Sequence, residues 1–171
     1  MSERLVIDAS AALAIVLGEP ERPTADAILR DRAGTLDVLV PGHFWLEIAN
    51  VLGRRHRFSA EDIVEAVRGL DDLWIRSVEV DRTLWLLTLD RMATLGLTAY
   101  DAAYLALAES ADARLLTFDA VLAAAAGERA LPRMPGRLSE KPAPYAPSSP
   151  ERVWAASGRY LAQLRREVLA G

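Results

Sequence analysis

The run Leu5-Val6-Ile7-Asp8-Ala9-Ser10 constrains the fold of this chain more than any other stretch. Three apolar residues, two of them β-branched, lead into a carboxylate and then a serine of the kind that caps helices. The pattern predicts a buried strand that delivers Asp8 to the carboxyl edge of a sheet, with a helix starting directly afterwards. Ligands of open α/β sheets bind at that edge, so Asp8 is a candidate site residue. A cap or turn aspartate accounts for the same position. Other acids carried to the same edge would favour the site.

The rest of the chain alternates between the two periodicities. Ser10 is expected to cap a short helix over Ala11–Leu17, stopped by Gly18-Glu19-Pro20. A second helix is predicted from Arg22 to Ala33, with Ala25, Ile28 and Leu29 inward and Gly34 ending it. Leu36–Val40 reads as a strand, Pro41-Gly42 as a turn and His43 to about Arg57 as a third helix. Ser59 caps a fourth, whose first-turn acids Glu61 and Asp62 suit the helix dipole. Trp74–Val80 reads as a short strand, and Arg82–Leu95 as a helix closed by Gly96. Thr98 begins a sixth helix reaching about Ala108. Arg114–Phe118 is a further strand ending on Asp119, and Ala120–Ala126 a turn of helix. Such alternation predicts a three-layer α/β/α sandwich around a mainly parallel sheet.

With 171 residues, 51% of them hydrophobic and 26% charged, the chain supports one substantial core, and global disorder is excluded. From Leu131 the texture changes: six of the nine prolines (Pro132, Pro135, Pro142, Pro144, Pro147 and Pro150) fall in the last quarter. The expected organisation is a globular α/β domain over 1–131, a Pro-rich connector over 132–149 and a C-terminal amphipathic helix over 150–171. Val153, Trp154, Ser157, Tyr160, Leu161, Leu164 and Val168 make one apolar stripe on that helix. Its own domain, a second copy or another protein would cover it.

A formal charge of −4 argues against a bulk nucleic-acid binder, although carboxylates meant for divalent cations count as negative until metal arrives. Lys141 is the only lysine among 20 cationic residues. Arginine suits bidentate phosphate contacts, and a GC-rich coding sequence gives the same bias. The absence of cysteine excludes disulfides and thiolate chemistry and is compatible with the cytoplasm. The N-terminal segment resembles neither a signal peptide nor a membrane helix, since Asp8 interrupts a short apolar run.

Three more acids match Asp8. Leu115-Leu116-Thr117-Phe118-Asp119 repeats its strand-then-aspartate logic, and pairing with the first strand in the sheet would bring Asp119 near Asp8. Asp101 follows Thr98 by three residues, which a helix cap explains equally well. Glu47 lies on a largely apolar helix with a narrow polar stripe of His43, Glu47, Asn50 and Arg54; a helix this apolar is expected to be mostly buried, so the stripe lines a cleft or needs partners. His43 and Glu47 have metal-ligand spacing, but one such pair is a weak zinc signal.

Together VIDAS, PGHFWLEIANVL, LTAYDAAYLALAE and ARLLTFD resemble, in order and spacing, a PIN domain of the VapC-type ribonuclease toxins of bacterial toxin–antitoxin pairs. The similarity spans about Arg4 to Ala130. It implies a PIN-like fold, RNA as substrate, and Mg²⁺ or Mn²⁺ bound at Asp8, Glu47, Asp101 and Asp119, with Ser10 and Thr117 as supporting polar groups. A cognate antitoxin partner, a homodimer and a cytoplasmic location follow from the same resemblance. Arg54, Arg55 and Arg57 are candidates to hold the RNA backbone, against the simpler role of a solvated basic helix end.

Hard divalent cations want oxygen ligands, and four crowded acids would hold a proton more tightly until a cation relieves them. Receiver domains and haloacid-dehalogenase-type phosphatases also place Asp after the first strand, but both rely on a lysine, and Lys141 is badly placed. The phosphatases also want an acid where Ser10 stands. The remaining rival is a non-catalytic PIN-like RNA-binding or protein-interaction module; cleavage of DNA is a third possibility.

Overall fold

Leu5, Val6 and Ile7 are all fully buried. Successive strand side chains point to opposite faces, so this first strand must be covered on both. The computed structural model of the chain describes residues 3–30 and 36–132. Strand β1 (Glu3–Ile7) lies at the centre of a five-stranded, all-parallel sheet ordered β3-β2-β1-β4-β5. Its neighbours are β2 (Leu36–Pro41) and β4 (Arg114–Leu116); β3 (Arg76–Val78) and β5 (Ala130–Leu131) form the edges. Buried Val38, Leu39, Val40, Leu115 and Leu116 continue the core across the middle strands. Near-continuous apolar strands are what a parallel sheet buried on both faces requires.

Helices make the crossovers. α1 (Ala9–Leu17) and α2 (Arg22–Arg30) link β1 to β2, and α3 (Phe44–Asn50) with α4 (Ala60–Val67) link β2 to β3. α5 (Arg82–Leu95) and α6 (Ala99–Ser110) carry the chain back to β4, and α7 (Ala120–Ala126) leads to β5. α6 packs on β1, β2 and β4, while α1 packs against α2, α3 and α4. The chain thus winds outward to β3 and returns on the other side of β1. This reversal puts a topological switch point between β1 and β4, and the crevice beside their carboxyl ends is where such sheets bind ligands.

Several boundaries differ from expectation, each for a local reason. Asp8, not Ser10, caps α1: its carboxylate accepts from the Ala11 amide at 2.9 Å, and the helix starts at Ala9. The strand ending on Asp119 stops at Leu116, because Asp119 turns to cap α7. Trp74 adopts φ +49°, which no strand allows, so β3 starts only at Arg76. The third helix is not α-helical to Arg57; Val51–Arg55 form a π-helical turn, in which the His56 amide reaches back five residues to Val51. That turn takes Arg54 out of line with the stripe through His43 and Glu47. Nor is this helix mostly buried: Phe44, Ile48 and Leu52 face the core, but Leu46 is 73% exposed and Trp45 is on the surface. The end of the second helix, the Pro-rich connector beyond Pro132 and the C-terminal amphipathic helix lie outside the described residues.

Candidate active site

The backbone builds the site around Asp8. Past the end of β1, the Asp8 amide still bonds to the Leu116 carbonyl at 3.1 Å, which fixes the aspartate beside the loop leaving β4. Its side chain is 4% exposed and collects four hydrogen bonds. The Thr117 hydroxyl donates to Oδ2 at 2.6 Å and the Ser10 hydroxyl approaches Oδ1 and Oδ2 at 2.7 and 2.9 Å. The Ala11 amide completes the set. Ser10 Oγ also accepts from the Phe118 amide at 2.8 Å, and Thr117 Oγ1 accepts from the Asp119 amide at 3.0 Å. The two supporting hydroxyls therefore stitch the loops after β1 and β4 together around one carboxylate.

These donors favour the ionised form, yet burial outweighs them. The Asp8 carboxyl is pushed up from 3.8 to about 6, chiefly by desolvation, with the charge of Glu47 adding to it. Glu47 is half-buried on α3, and its carboxyl is also raised, by burial first and by the charge of Asp101. Asp8, Glu47 and Asp101 therefore act on one another. Among the described residues none of the four predicted acids makes an ion pair. No cationic side chain among the described residues pairs with this excess negative charge.

Asp101 sits in the first turn of α6, where its amide bonds to the Thr98 hydroxyl at 3.2 Å and its Oδ2 accepts from that hydroxyl at 2.7 Å. The cap expectation holds: Thr98 caps α6, and the same hydroxyl fixes the Asp101 carboxylate in the first turn. Asp119 is exposed, and Oδ1 caps α7 through the Leu122 amide at 2.8 Å. Its backbone amide is linked to Asp8 through Thr117 Oγ1, while its carboxylate is turned to the start of α7. Arg54, Arg55 and Arg57 are exposed on and after the π-helical turn, and Arg55 is close enough to Glu19 for its charge to be felt there.

Sequence reasoning overlooked Tyr104. This residue is 1% exposed, and its hydroxyl donates to Glu47 Oε2 at 2.8 Å. Burial, followed by the charge of Glu47 and this bond, raises the phenol far above its ordinary value. The signal was there: a tyrosine three residues after Asp101 shares its helix face, and a hydroxyl inside an Ala/Leu run needs a partner. His43, at the start of α3, makes no cap bond and packs on Tyr104 and Tyr100 instead.

The PIN domain family model matches residues 5–128. Ribonuclease VapC3 of Mycobacterium tuberculosis is 35% identical over 127 residues, covering 72% of this chain and 88% of that protein. The crystal structure of VapC20 from the same species, described as a sarcin–ricin loop cleaving toxin, matches with a TM-score of 0.58 at 19% identity, over 71% of this chain and 94% of that one. PAE2754 from Pyrobaculum aerophilum matches with a TM-score of 0.52 at 29% identity, over 73% of this chain and 87% of its own. Sequence, switch-point topology and acids lead to one assignment: the chain belongs to the PIN-domain family, alongside VapC-type ribonucleases.

Proposed function

We propose that this chain is a Mg²⁺- or Mn²⁺-dependent endoribonuclease, the toxin of a VapBC-type toxin–antitoxin pair. The observation that carries the reading is Asp8. A carboxylate held by three hydroxyl and amide donors, buried, raised to about 6 and without a cationic partner among the described residues is suited to a hard cation. The donor set is all oxygen. Among the described residues no three acids or imidazoles lie close enough to grip one ion together. The reading therefore requires an ion that takes one or two carboxylates directly and reaches the others through its waters, as Mg²⁺ can.

Asp8, Glu47, Asp101 and Asp119 would hold the ion, directly or through its waters. Such an ion, when bound, lowers the pKa of a water and stabilises the departing oxygen of a phosphodiester. The protein's own part is positional. Ser10, Thr117 and the Ala11 amide fix both oxygens of Asp8, and Tyr104 fixes Oε2 of Glu47. Arg54, Arg55 and Arg57 contact the RNA backbone, supplying positive charge that the acids lack.

The reading takes residues 1–131 as the nuclease domain, and it keeps from the sequence pattern alone a Pro-rich connector over 132–149 and an amphipathic segment over 150–171. Exposed Trp45 and Leu46 on α3, and Trp85, Leu86 and Leu89 on α5, support protein partners: a second copy and the antitoxin. Among the described residues no helix is long and apolar enough to cross a membrane, and an RNA substrate suits a cytoplasmic location. The test is cleavage of parallel RNA and DNA substrates by the wild type and Asp8→Asn, with Mg²⁺, with Mn²⁺ and with chelator. RNA cleavage that needs the metal and Asp8 supports the reading. Equal cleavage by both proteins defeats the metal assignment, and no cleavage of any RNA makes the chain a binding module.

A further inference from the structure

Three aromatic rings lead from the acids towards solvent. Tyr104 is the innermost, tied through its hydroxyl to Glu47. The His43 ring packs edge-on against it, with centroids 5.1 Å apart and planes at 72°. Tyr100 packs on the same imidazole at 5.2 Å, tilted by 49°, and is 61% exposed. Nε2 of His43 is buried and makes no hydrogen bond with the described residues, so ring contacts rather than hydrogen bonds at that nitrogen place the imidazole. It serves as an aromatic brace.

The location gives the row its meaning. Tyr100 directly precedes Asp101 in the first turn of α6, and the charge of Asp101 reaches His43. An aromatic face is therefore presented beside the acids, and its contact with His43 limits its freedom before any ligand arrives. Proteins that hold single-stranded RNA splay bases onto such rings, and stacking accepts any base because every base has a π-face. Bracing a ring in advance reduces the ordering that binding would otherwise require.

We infer that Tyr100, braced by His43, is a stacking platform for an unpaired RNA base beside the acids. The inference rests on the nuclease reading for the identity of the ligand. It makes unpaired RNA the preferred substrate at this site, with duplex RNA excluded from the platform because its bases are already stacked.

The test is equilibrium binding of a mixed-sequence single-stranded oligoribonucleotide to the full chain, with Asp8→Asn in every protein to prevent cleavage. Tyr100→Ala should weaken binding by roughly 5- to 150-fold, the range that base stacking on an aromatic supports. Tyr100→Phe should bind like the parent. In a series of oligonucleotides carrying one abasic residue at successive positions, one position should remove the penalty of Tyr100→Ala. Duplex RNA should show none. Unchanged binding by Tyr100→Ala, or an equal loss on single-stranded, abasic and duplex RNA, overturns the platform; the second outcome also exposes a folding defect. Cleavage by the unmutated chain is scored separately. Cleavage with no effect of Tyr100→Ala sinks the platform alone, whereas Tyr100-dependent binding without cleavage sustains it and sinks the nuclease.

Discussion

Removing the charge of Asp8 is expected to stabilise the metal-free protein while abolishing its activity. The carboxyl titrates near 3.8 ordinarily and at about 6 in the fold, where it is 4% exposed. The native state therefore holds this proton more tightly than the unfolded chain does. The stability contributed by Asp8 is full below pH 3.8, falls as pH rises from there through about 6, and is lost above. The loss at neutral pH is about 3 kcal/mol, from the separation of the two values. Asp8→Asn keeps the shape and removes the titration. In urea unfolding with chelator at neutral pH the variant should exceed the wild type by up to about 3 kcal/mol, and the difference should close towards pH 4. Adding Mn²⁺ should stabilise the wild type and leave the variant unchanged, because only a ligand bound to the native state shifts unfolding. A variant no more stable than the wild type at neutral pH would refute the claim that burial outweighs the three donors.

Other substitutions test the neighbours. Thr117→Val removes the 2.6 Å donor from Asp8, raises its carboxyl further and should move the acid limb of the cleavage–pH profile upward; an unmoved limb would mean that Thr117 does not tune Asp8. Tyr104→Phe frees Glu47 Oε2 from its 2.8 Å donor. Hydrogen bonds to charged groups contribute about 1.5–3 kcal/mol, so the Mn²⁺ concentration at half-maximal cleavage should rise roughly tenfold. Unchanged metal dependence would limit Tyr104 to packing. Gly96→Ala places a Cβ at φ +67° with no atom within 4 Å of it, so only backbone strain is added. It should lower stability by about 1 kcal/mol with cleavage intact, as urea midpoints would report.

What the sequence revealed depended on how local the cause was. Helices α5 and α7 kept their expected bounds because glycine or carboxylate signals mark their ends: Gly96 closes one in a left-handed turn, and Asp119 caps the other. Strand β1 was legible because its apolar run has no alternation. β5 was not, because Ala130 and Leu131 are extended by pairing with Leu115 and Leu116 rather than by any periodicity of their own. The π-helical turn after α3 changes hydrogen-bond register without a residue that announces it. Asp8 and Asp119 stand after strand-like runs in the sequence, and both cap the helices that follow, so the simple explanation holds at both and leaves the site role to the metal test. The Glu47–Tyr104 bond joins positions 57 residues apart, a contact that only the packing of α6 against the sheet creates. The row from Tyr104 to Tyr100 is likewise a product of tertiary packing.

On this reading the acids, which make no ion pair among the described residues, form one cation site. Calorimetric titration of metal-free protein with Mn²⁺ tests it most directly, using the wild type and Asp8→Asn, Glu47→Gln, Asp101→Asn and Asp119→Asn. The account predicts binding by the wild type, its loss in Asp8→Asn and weaker binding in each of the other three. Mn²⁺ bound equally well by Asp8→Asn and the wild type would contradict it.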